Sequence, residues 1–284
     1  VQKLFNEFVT REVSKESAEW KDFNNIVFKQ KRMEYFKRKF YLNWRLSKDK
    51  FNEFVRENYQ DVWKNSRPQQ MLSYKSDQSL IEWDDNGYSV NPFAALVRLH
   101  LYAIKQILEK ISFNSILEVG AGHGINLVTL SNILPNKKFT GLELTDSGIK
   151  FFNKLKKSKT LPKEFERFTP KKFKNQNAHK KVDIHQGSAE ELPFKNKSFD
   201  ITFTRLALEQ MEAIRSKALN EIARVTKKYC IMVEPFKDSN DKGIRKYHVQ
   251  GHNYFQAKIS ELKKYNMKPV FIYDDWPHKI TIKP

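Results

Sequence analysis

The spacing of apolar positions divides the chain into two regions. Residues 1–70 are charged and almost free of Gly and Pro, and apolar residues such as Leu4 and Phe8 recur at three- and four-residue steps. This period predicts amphipathic helices. The stretch "WDDNGYSVNP" (83–92) has turn chemistry and is predicted to be a loop. The stretch "FAALVRLHLYAIKQILEKI" (93–111) predicts a further amphipathic helix.

After residue 112, short apolar runs alternate with helical patterns, which implies a parallel sheet with right-handed crossovers. The predicted strands lie at 115–119, 138–143, 182–185, 199–204 and 228–234, with helices at 124–134, 145–156 and 214–226. A last helix at about 253–265 precedes "KPVFIYDD" and "HKITIKP", which are close enough to form an antiparallel pair. The prediction is therefore an α/β fold with a doubly wound, mostly parallel seven-stranded sheet, a helical N-terminal extension or lid (1–92) and a main domain (93–284).

The charge is basic and unevenly distributed. The chain has 52 Lys and Arg against 33 Asp and Glu, a net charge of +19. Residues 150–181 hold 12 basic residues against 2 acids, and residues 31–50 hold 8 against 2 with five interleaved aromatic residues. Those aromatics (Tyr35, Phe36, Phe40, Tyr41 and Trp44) suit base stacking, but helical spacing favours a buried stripe. Because Lys outnumbers Arg 40 to 12, AT-rich coding is the favoured explanation of the excess, and a polyanionic partner is the alternative.

Composition excludes several classes of protein. With 39% hydrophobic residues the chain can bury a core, and its apolar runs are too short to span a membrane. The single cysteine, Cys230, cannot form an internal disulfide or a multi-cysteine metal site. We expect a reducing, cytoplasmic compartment; the sequence does not indicate the oligomeric state.

The stretch "SILEVGAGHGINLV" (115–128) places three glycines between a predicted strand and a predicted helix. Glycines admit positive φ and let a ligand approach the backbone, and the helix N-terminus offers unpaired N–H groups. The spacing G-x-G-x-G differs from the dinucleotide pattern G-x-G-x-x-G, and no P-loop is present.

With Glu118 two residues before the first glycine, this loop resembles motif I of the class I S-adenosylmethionine-dependent methyltransferases. Three further stretches resemble the same family in order: "FTGLEL" (139–144), "QGSAEELPFKNKSFDITFTRLALEQM" (186–211) and "ALNEIARVTKKYCIMVEP" (218–235). The resemblance covers about 110–235, and "SAEELPF…SFD" points toward the type-11 branch, which methylates quinones and other small molecules.

The resemblance implies a Rossmann-like fold, S-adenosylmethionine as cofactor, S-adenosylhomocysteine as product and no metal. Glu118 would orient the methionine ammonium and Glu143 would hold the ribose hydroxyls. The implied cofactor-binding residues are Glu118, Gly120, Ala121, Gly122, Gly124, Glu143, Leu144, Ser188, Ala189, Glu190, Arg205 and Leu206. Ser188 replaces the family's usual Asp, Gln210 stands where His is frequent, and a basic insertion near 157–181 lengthens the domain.

Methyl transfer needs mainly proximity and orientation, with a base only where the acceptor must lose a proton. The candidate bases are Glu209, His248 and His252. His248 and His252 could share a metal on one helix face, but no third ligand is identifiable. The candidate substrate lid contains Trp83, Tyr88, Tyr247 and Tyr254, whose alternative role is packing between extension and core.

Three functions stay open. The favoured one is methyl transfer to an O, N or C atom of a small organic acceptor. The second is RNA- or protein-directed methylation, with 31–50 and 150–181 as docking surfaces, although no N-P-P-[FY] motif and no paired cysteines occur. The third is a scaffold that binds cofactor without turnover, against which the intact glycine loop and Glu143 argue.

Overall fold

The computed structural model describes residues 1–42, 48–65, 79–162, 165, 173–175 and 177–284. Trp44 and ten residues of the predicted basic stretch (163–164, 166–172 and 176) lie outside the described residues.

The main sheet confirms the predicted parallel strands, but within the described residues it has five strands and not seven. They are β4 (Ser115–Val119), β5 (Lys138–Glu143), β6 (Asp183–Gln186), β7 (Phe199–Arg205) and β8 (Thr226–Val233). Their order is β6-β5-β4-β7-β8, and every pairing is parallel. The order reverses between β4 and β7, and in such sheets ligands bind outside the carboxyl ends of the strands at that point.

A second sheet, which is antiparallel, contains a C-terminal strand that was predicted to belong to the main sheet. It contains β1 (Val9–Val13), β2 (Ser79–Trp83), β3 (Asn86–Val90) and β9 (His278–Lys279), in the order β1-β3-β2-β9. The predicted loop 83–92 is therefore wrong: most of it belongs to a hairpin whose two-residue turn, Asp84 and Asp85, has φ of 47° and 59°. Positive φ at both positions is typical of a type I′ turn, which matches the twist of its strands. The extension thus contains strands as well as helices.

The helices flank these sheets and agree with the predicted positions in the second half of the chain. Their bounds are α1 (Gln2–Asn6), α2 (Ala18–Lys37), α3 (Lys48–Asn65), α4 (Pro92–Lys110), α5 (Ile125–Ile133), α6 (Asp146–Lys157), α7 (Arg215–Val225), α8 (Lys237–Asn240) and α9 (Gly243–Gly251). A π-helical turn, Arg38–Leu42, follows α2. The long helix α4 begins where the Asn91 side chain accepts a hydrogen bond from Ala94 N, with Pro92 in the first turn.

The C-terminal predictions are wrong in two respects. The predicted helix 253–265 is a short 3₁₀ segment, Ile259–Tyr265, and the predicted antiparallel pair does not form. Instead β9 pairs with β2, where Glu82 contacts His278 and Ile280 packs among apolar residues of the small sheet. The apolar run Val270–Tyr273 stays exposed. The burial of Ile280 and the contact between His278 and Glu82 therefore favour the pairing of β9 with β2.

The largest apolar cluster joins the two sheets through α4 and α5. Every residue of α5 is buried, which fixes the helix that follows the glycine loop. Among the described helices, none combines the length and apolarity that a membrane crossing needs.

Candidate active site

The glycine loop after β4 is held against the next strand. The backbone N–H groups of Gly120 and Ala121 both donate to Leu142 O at 2.9 Å. Gly120, Gly122 and Gly124 have φ of 80°, 53° and 72°. A Cβ at Gly120 would lie 2.5 Å from the Ala207 side chain. Positive φ and close packing therefore require glycine here, and the loop leads into the N-terminus of α5.

Glu118 is the second-last residue of β4, and its buried carboxyl group has a hydrogen-bond partner at only one of its two oxygens among the described residues. Its Oε1 accepts a hydrogen bond from Asn126 Nδ2 at 2.5 Å, whereas its Oε2 is buried with no hydrogen-bond partner among the described residues. Burial raises the pKa of Glu118 to about 8, although Asn126 and the charge of Arg205 act in the opposite direction. Since buried polar atoms are nearly always paired, this oxygen marks a place for a cationic or donor group.

Glu143 is the last residue of β5, and both of its carboxylate oxygens accept hydrogen bonds. Its Oε2 accepts from Gly122 N at 2.8 Å, and its Oε1 accepts from Thr145 N at 2.9 Å and Thr145 Oγ1 at 2.6 Å. The carboxylate therefore ties the glycine loop to the end of β5. The neighbouring Leu144 is partly exposed.

The segment after β6 joins this edge. Gly187 N donates to Glu143 O at 3.0 Å, which brings Ser188 and Ala189 beside β5. Ser188 Oγ accepts from Glu190 N at 3.2 Å, and Ala189 is buried. The Glu190 carboxylate pairs with Lys217 at 3.2 Å. The structure thus brings the predicted cofactor-binding residues at the ends of β4, β5 and β6 to the same edge of the main sheet.

At the end of β7, Arg205 lies among acidic side chains and Leu206 has a strained backbone conformation. Arg205 Nε donates to His100 Nδ1 at 3.2 Å. Burial lowers the pKa of Arg205 to about 10, and the charges of Glu118, Glu209 and Glu234 oppose that shift. Leu206 has φ of 49°, a conformation that costs energy in a non-glycine residue and is concentrated at functional sites.

Glu234, directly after β8, positions the turn that carries Glu209. Its Oε1 accepts from Ala207 N at 3.0 Å and its Oε2 from Glu209 N at 3.3 Å. Burial raises the pKa of Glu209 to about 7 and that of Glu234 to about 8. Glu209 is only partly exposed, and near neutral pH it is divided between its protonated and ionised forms.

The two candidate histidines lie on the side of α9 that meets α2. His252 Nε2 is 3.6 Å from Glu34 Oε2, and the ring centroids of His248 and His252 are 4.5 Å apart. Burial lowers the pKa of His248 to about 3 and also lowers the pKa of His252. No group of three or more His, Cys, Asp and Glu side chains that could hold a metal occurs in the described part of the chain.

The four candidate lid residues lie in three different parts of the structure. Trp83 and Tyr88 are buried against Phe5, with ring centroids 5.1 and 5.0 Å away, so they pack the small sheet. Tyr247 packs against two aromatic rings of α2, Phe28 and Tyr35. Tyr254 adjoins the site: Phe255 N donates to Glu209 O at 3.1 Å, and burial followed by the charge of Glu209 raises the pKa of Tyr254.

Three bordering residues were not identified from the sequence: Tyr59, His100 and Glu234. Tyr59 lies on α3, which is tied to the start of α6 by a hydrogen bond from Ser147 Oγ to Gln60 O at 2.9 Å. Burial raises the pKa of Tyr59 far above its ordinary value, and the next contribution is the charge of Glu209. Helix α3 therefore covers the site, although no motif or spacing in the sequence indicates this.

Residues 117–233 match the family model described as "Methyltransferase domain", type 11. A curated relative, phthiotriol/phenolphthiotriol dimycocerosates methyltransferase of Mycobacterium leprae (strain TN), is 29% identical over 153 residues, 50% of this chain and 48% of the relative. The chain therefore spans about half the length of that relative.

Two solved structures are similar in fold. Geranyl diphosphate C-methyltransferase from Streptomyces coelicolor A3(2) has a TM-score of 0.51 at 11% identity, covering 78% of this chain and 82% of that one. The YcgJ protein from Bacillus subtilis has a TM-score of 0.41 at 21% identity, covering 58% and 64%. At these identities the likeness concerns the fold alone. Residues 117–233, less than half of the chain, are similar to the type-11 methyltransferase domain.

Proposed function

We propose that the protein transfers a methyl group from S-adenosylmethionine to an O, N or C atom of a small organic acceptor. The observation that carries the proposal is the buried Oε2 of Glu118, which has no hydrogen-bond partner among the described residues and lies beside a loop whose three glycines have positive φ. Residues 93–284 would form the catalytic domain and 1–92 its extension. We keep the cytoplasm as the proposed compartment, on the basis of the single cysteine.

The residues at the strand ends fit the cofactor. Glu118 Oε2 would accept a hydrogen bond from the methionine ammonium, which removes the cost of an unpaired buried carboxylate. The glycine loop and Glu143 would line the ribose, with Leu144, Ser188, Ala189 and Glu190 toward the adenine. Arg205 and Leu206 would border the methionine end. The bound cofactor supplies an electrophilic methyl group on a sulfonium.

Glu209 is the candidate base that the geometry favours. Its carboxylate lies beyond the end of β7, and its pKa of about 7 suits proton acceptance near neutral pH. His248 has a pKa of about 3 and faces the α2–α9 contact, so it is a poor proton acceptor. Tyr59 and Tyr254 would close the acceptor side of the cavity. An acceptor whose reacting atom carries no proton would not need Glu209.

The proposed acceptor class rests on the elements that lie beside the site and on the curated relative. The M. leprae relative is named as a methyltransferase of phthiotriol and phenolphthiotriol dimycocerosates, and not of RNA or protein. In this chain α3 and the segment around Tyr254 lie beside the strand ends, which favours an acceptor small enough to fit between them.

The first experiment measures cofactor binding by calorimetry with Glu118→Gln. The substitution keeps the acceptor for Asn126 but replaces the unpartnered oxygen with an N–H donor. We expect S-adenosylmethionine affinity to fall roughly 10-fold or more. The matched control, Glu191→Gln, changes an exposed carboxylate and should leave affinity unchanged. Equal affinity of Glu118→Gln and wild type would contradict the proposed cofactor site.

A second experiment identifies the acceptor class. Purified protein and methyl-labelled S-adenosylmethionine are incubated with cell extract, and the label is then partitioned among small molecules, RNA and protein. We expect the label in the small-molecule fraction. Label in RNA or protein would contradict the proposed acceptor while leaving the cofactor site in place.

A further inference from the structure

Helix α2 is apolar on two opposite faces, only one of which is covered. The inner face packs against α9 through Tyr35 and Tyr247. On the outer face of α2 and of the π-helical turn that follows it, the exposed fractions are 65% for Ile26, 51% for Met33, 40% for Phe36 and 66% for Phe40. We call these four side chains the outer stripe. Steps of seven, three and four residues place them on one side of a helix, and the Phe36 and Phe40 rings stack at 6.2 Å.

The outer stripe lies within a basic surface. Residues 26–42 contain six basic side chains and one acid, Glu34. That acid is on the inner side, where it pairs with Lys31 at 2.9 Å and approaches His252. Lys29, Lys37 and Lys39 are exposed, and Arg32 lies 5.8 Å from the Phe36 ring. Basic side chains therefore outnumber acidic ones around the stripe, although the exposed Asp22 lies one turn before Ile26 on the same side of α2.

We propose that the outer stripe and its basic surround dock onto an anionic lipid membrane. Apolar side chains on a helix that lies at a membrane surface enter the boundary between headgroups and acyl chains, while Lys and Arg interact with anionic headgroups. A patch of large exposed apolar side chains is unusual in a monomer and marks an interaction surface. The basic charge selects an anionic partner.

A lipid surface fits this patch better than nucleic acid does. Aromatic rings stack on bases, but Ile26 and Met33 present no ring, and phosphates and sugars offer no apolar layer to receive them. A bilayer accepts all four side chains. Docking there would bring the α2–α9 pair, whose chain continues to Tyr254 beside Glu209, close to the lipid.

A second exposed apolar run provides an internal control. Val270 is 77% exposed and Phe271 70%, so their exposure equals or exceeds that of the outer stripe. They lie between Lys268 and the acidic pair Asp274 and Asp275, so this run has less positive charge around it than the outer stripe. Apolar exposure alone would predict binding through both runs, whereas the proposal predicts binding through the outer stripe only.

The experiment is vesicle co-sedimentation of the full chain without cofactor, so its outcome does not depend on the proposed function. Vesicles are made of phosphatidylcholine alone or with added phosphatidylglycerol. The apolar variant carries Ile26→Gln, Met33→Gln, Phe36→Gln and Phe40→Gln; the charge variant carries Lys29→Gln, Lys37→Gln and Lys39→Gln; and the control carries Val270→Ser, Phe271→Ser and Ile272→Ser. Circular dichroism and thermal unfolding verify that each variant folds.

Wild type and control should bind the anionic vesicles, more weakly at high salt, and bind phosphatidylcholine poorly. Both outer-stripe variants should lose roughly 10-fold or more of that binding. No wild-type binding, or binding that survives both variants, would overturn the proposal. A single-stranded RNA bound more tightly than the vesicles, and weakened by the charge variant alone, would also overturn it, in favour of nucleic acid. If the apolar variant does not fold, the charge variant decides the outcome.

Discussion

Glu118 in the main sheet and Glu82 in the small sheet are carboxylates at or near strand ends with opposite surroundings. Glu82 accepts hydrogen bonds from Arg245 Nη2 at 2.5 Å and from the His278 ring at 2.8 Å, and Lys15 Nζ is 3.5 Å away. Burial acts to raise its pKa, but His278, Arg245 and Lys15 lower the pKa to about 2. Glu118 has one hydrogen bond and a pKa of about 8.

The comparison distinguishes a carboxylate that stabilises the fold, Glu82, from a carboxyl group that is available to bind a ligand, Glu118. Glu82 joins β2, β9 and α9, and its partners satisfy it within the fold. Around Glu118, the Glu209 and Glu234 carboxyls also have raised pKa values, and Arg205 is the basic side chain that faces all three. Burial disfavours the ionised forms of these three carboxyls, so their grouping does not stabilise the fold. Their arrangement at a strand-order reversal indicates a ligand with positive charge.

The largest expected effect comes from Gly122→Val. The residue has φ of 53°, and the branched side chain would occupy the space that the ligand needs beside the loop. We expect cofactor affinity to fall at least roughly 100-fold, or about 2.8 kcal/mol. Calorimetry measures the affinity, and thermal unfolding verifies that the fold persists. Unchanged affinity would remove the glycine loop from the binding site.

Glu209→Gln tests the acceptor side of the same cluster. If the acceptor must lose a proton, we expect turnover with that acceptor to fall roughly 100-fold, with little change in cofactor affinity. In the wild type the rate should rise as pH rises through about 7, because the ionised carboxylate accepts the proton. The variant should lack that rise. A variant that keeps both the rate and the rise would exclude Glu209 as the base.

The main sheet was predictable because its signals are local. Each strand is a short apolar run with a helix beside it in sequence, and Glu118 and Glu143 are recognisable by their distance from the glycines. The small sheet was not predictable in this way. Its strands come from residues 9–13, 79–90 and 278–279, so each pairing except the hairpin joins distant segments.

The same reasoning explains which site residues the sequence did not reveal. His100 reaches Arg205 from the middle of α4, and Tyr59 on α3 lies near Glu209 and Tyr254. Neither position has a spacing relation to the glycine loop, since tertiary packing alone brings these helices over the strand ends. Trp83 and Tyr88 show the converse, because aromatic residues in a turn-rich stretch resemble a lid in sequence but fill a core.

Glu82→Gln should affect stability but not binding. The substitution removes the charge that holds Arg245, His278 and Lys15 together, at a site that is only partly buried. We expect the free energy of unfolding to fall by about 1–2 kcal/mol, measured by urea denaturation. Cofactor affinity should stay within about twofold of wild type. A large loss of affinity with unchanged stability would reverse the roles assigned to the two carboxylates.

The smallest expected effect is the opposite pH dependence of the two carboxylates. The folded pKa of Glu118 lies above its ordinary value of 4.5, so the folded state binds more protons than the unfolded state. Its contribution to stability is therefore lost as pH rises from about 4.5 through 8. The folded pKa of Glu82 lies below 4.5, so its contribution is lost as pH falls toward 2. Urea denaturation of the cofactor-free protein across this range measures both.

The two substitutions identify which carboxylate causes which slope. Glu118→Gln should reduce the loss of stability above pH 4.5, and Glu82→Gln should reduce the loss below it, each by less than about 1 kcal/mol per pH unit. Adding S-adenosylmethionine should also flatten the upper slope, because a bound ammonium favours the ionised form of Glu118. An upper slope that neither Glu118→Gln nor the cofactor changes would mean that Glu209 or Glu234 carries it, and that the ammonium does not bind at Glu118.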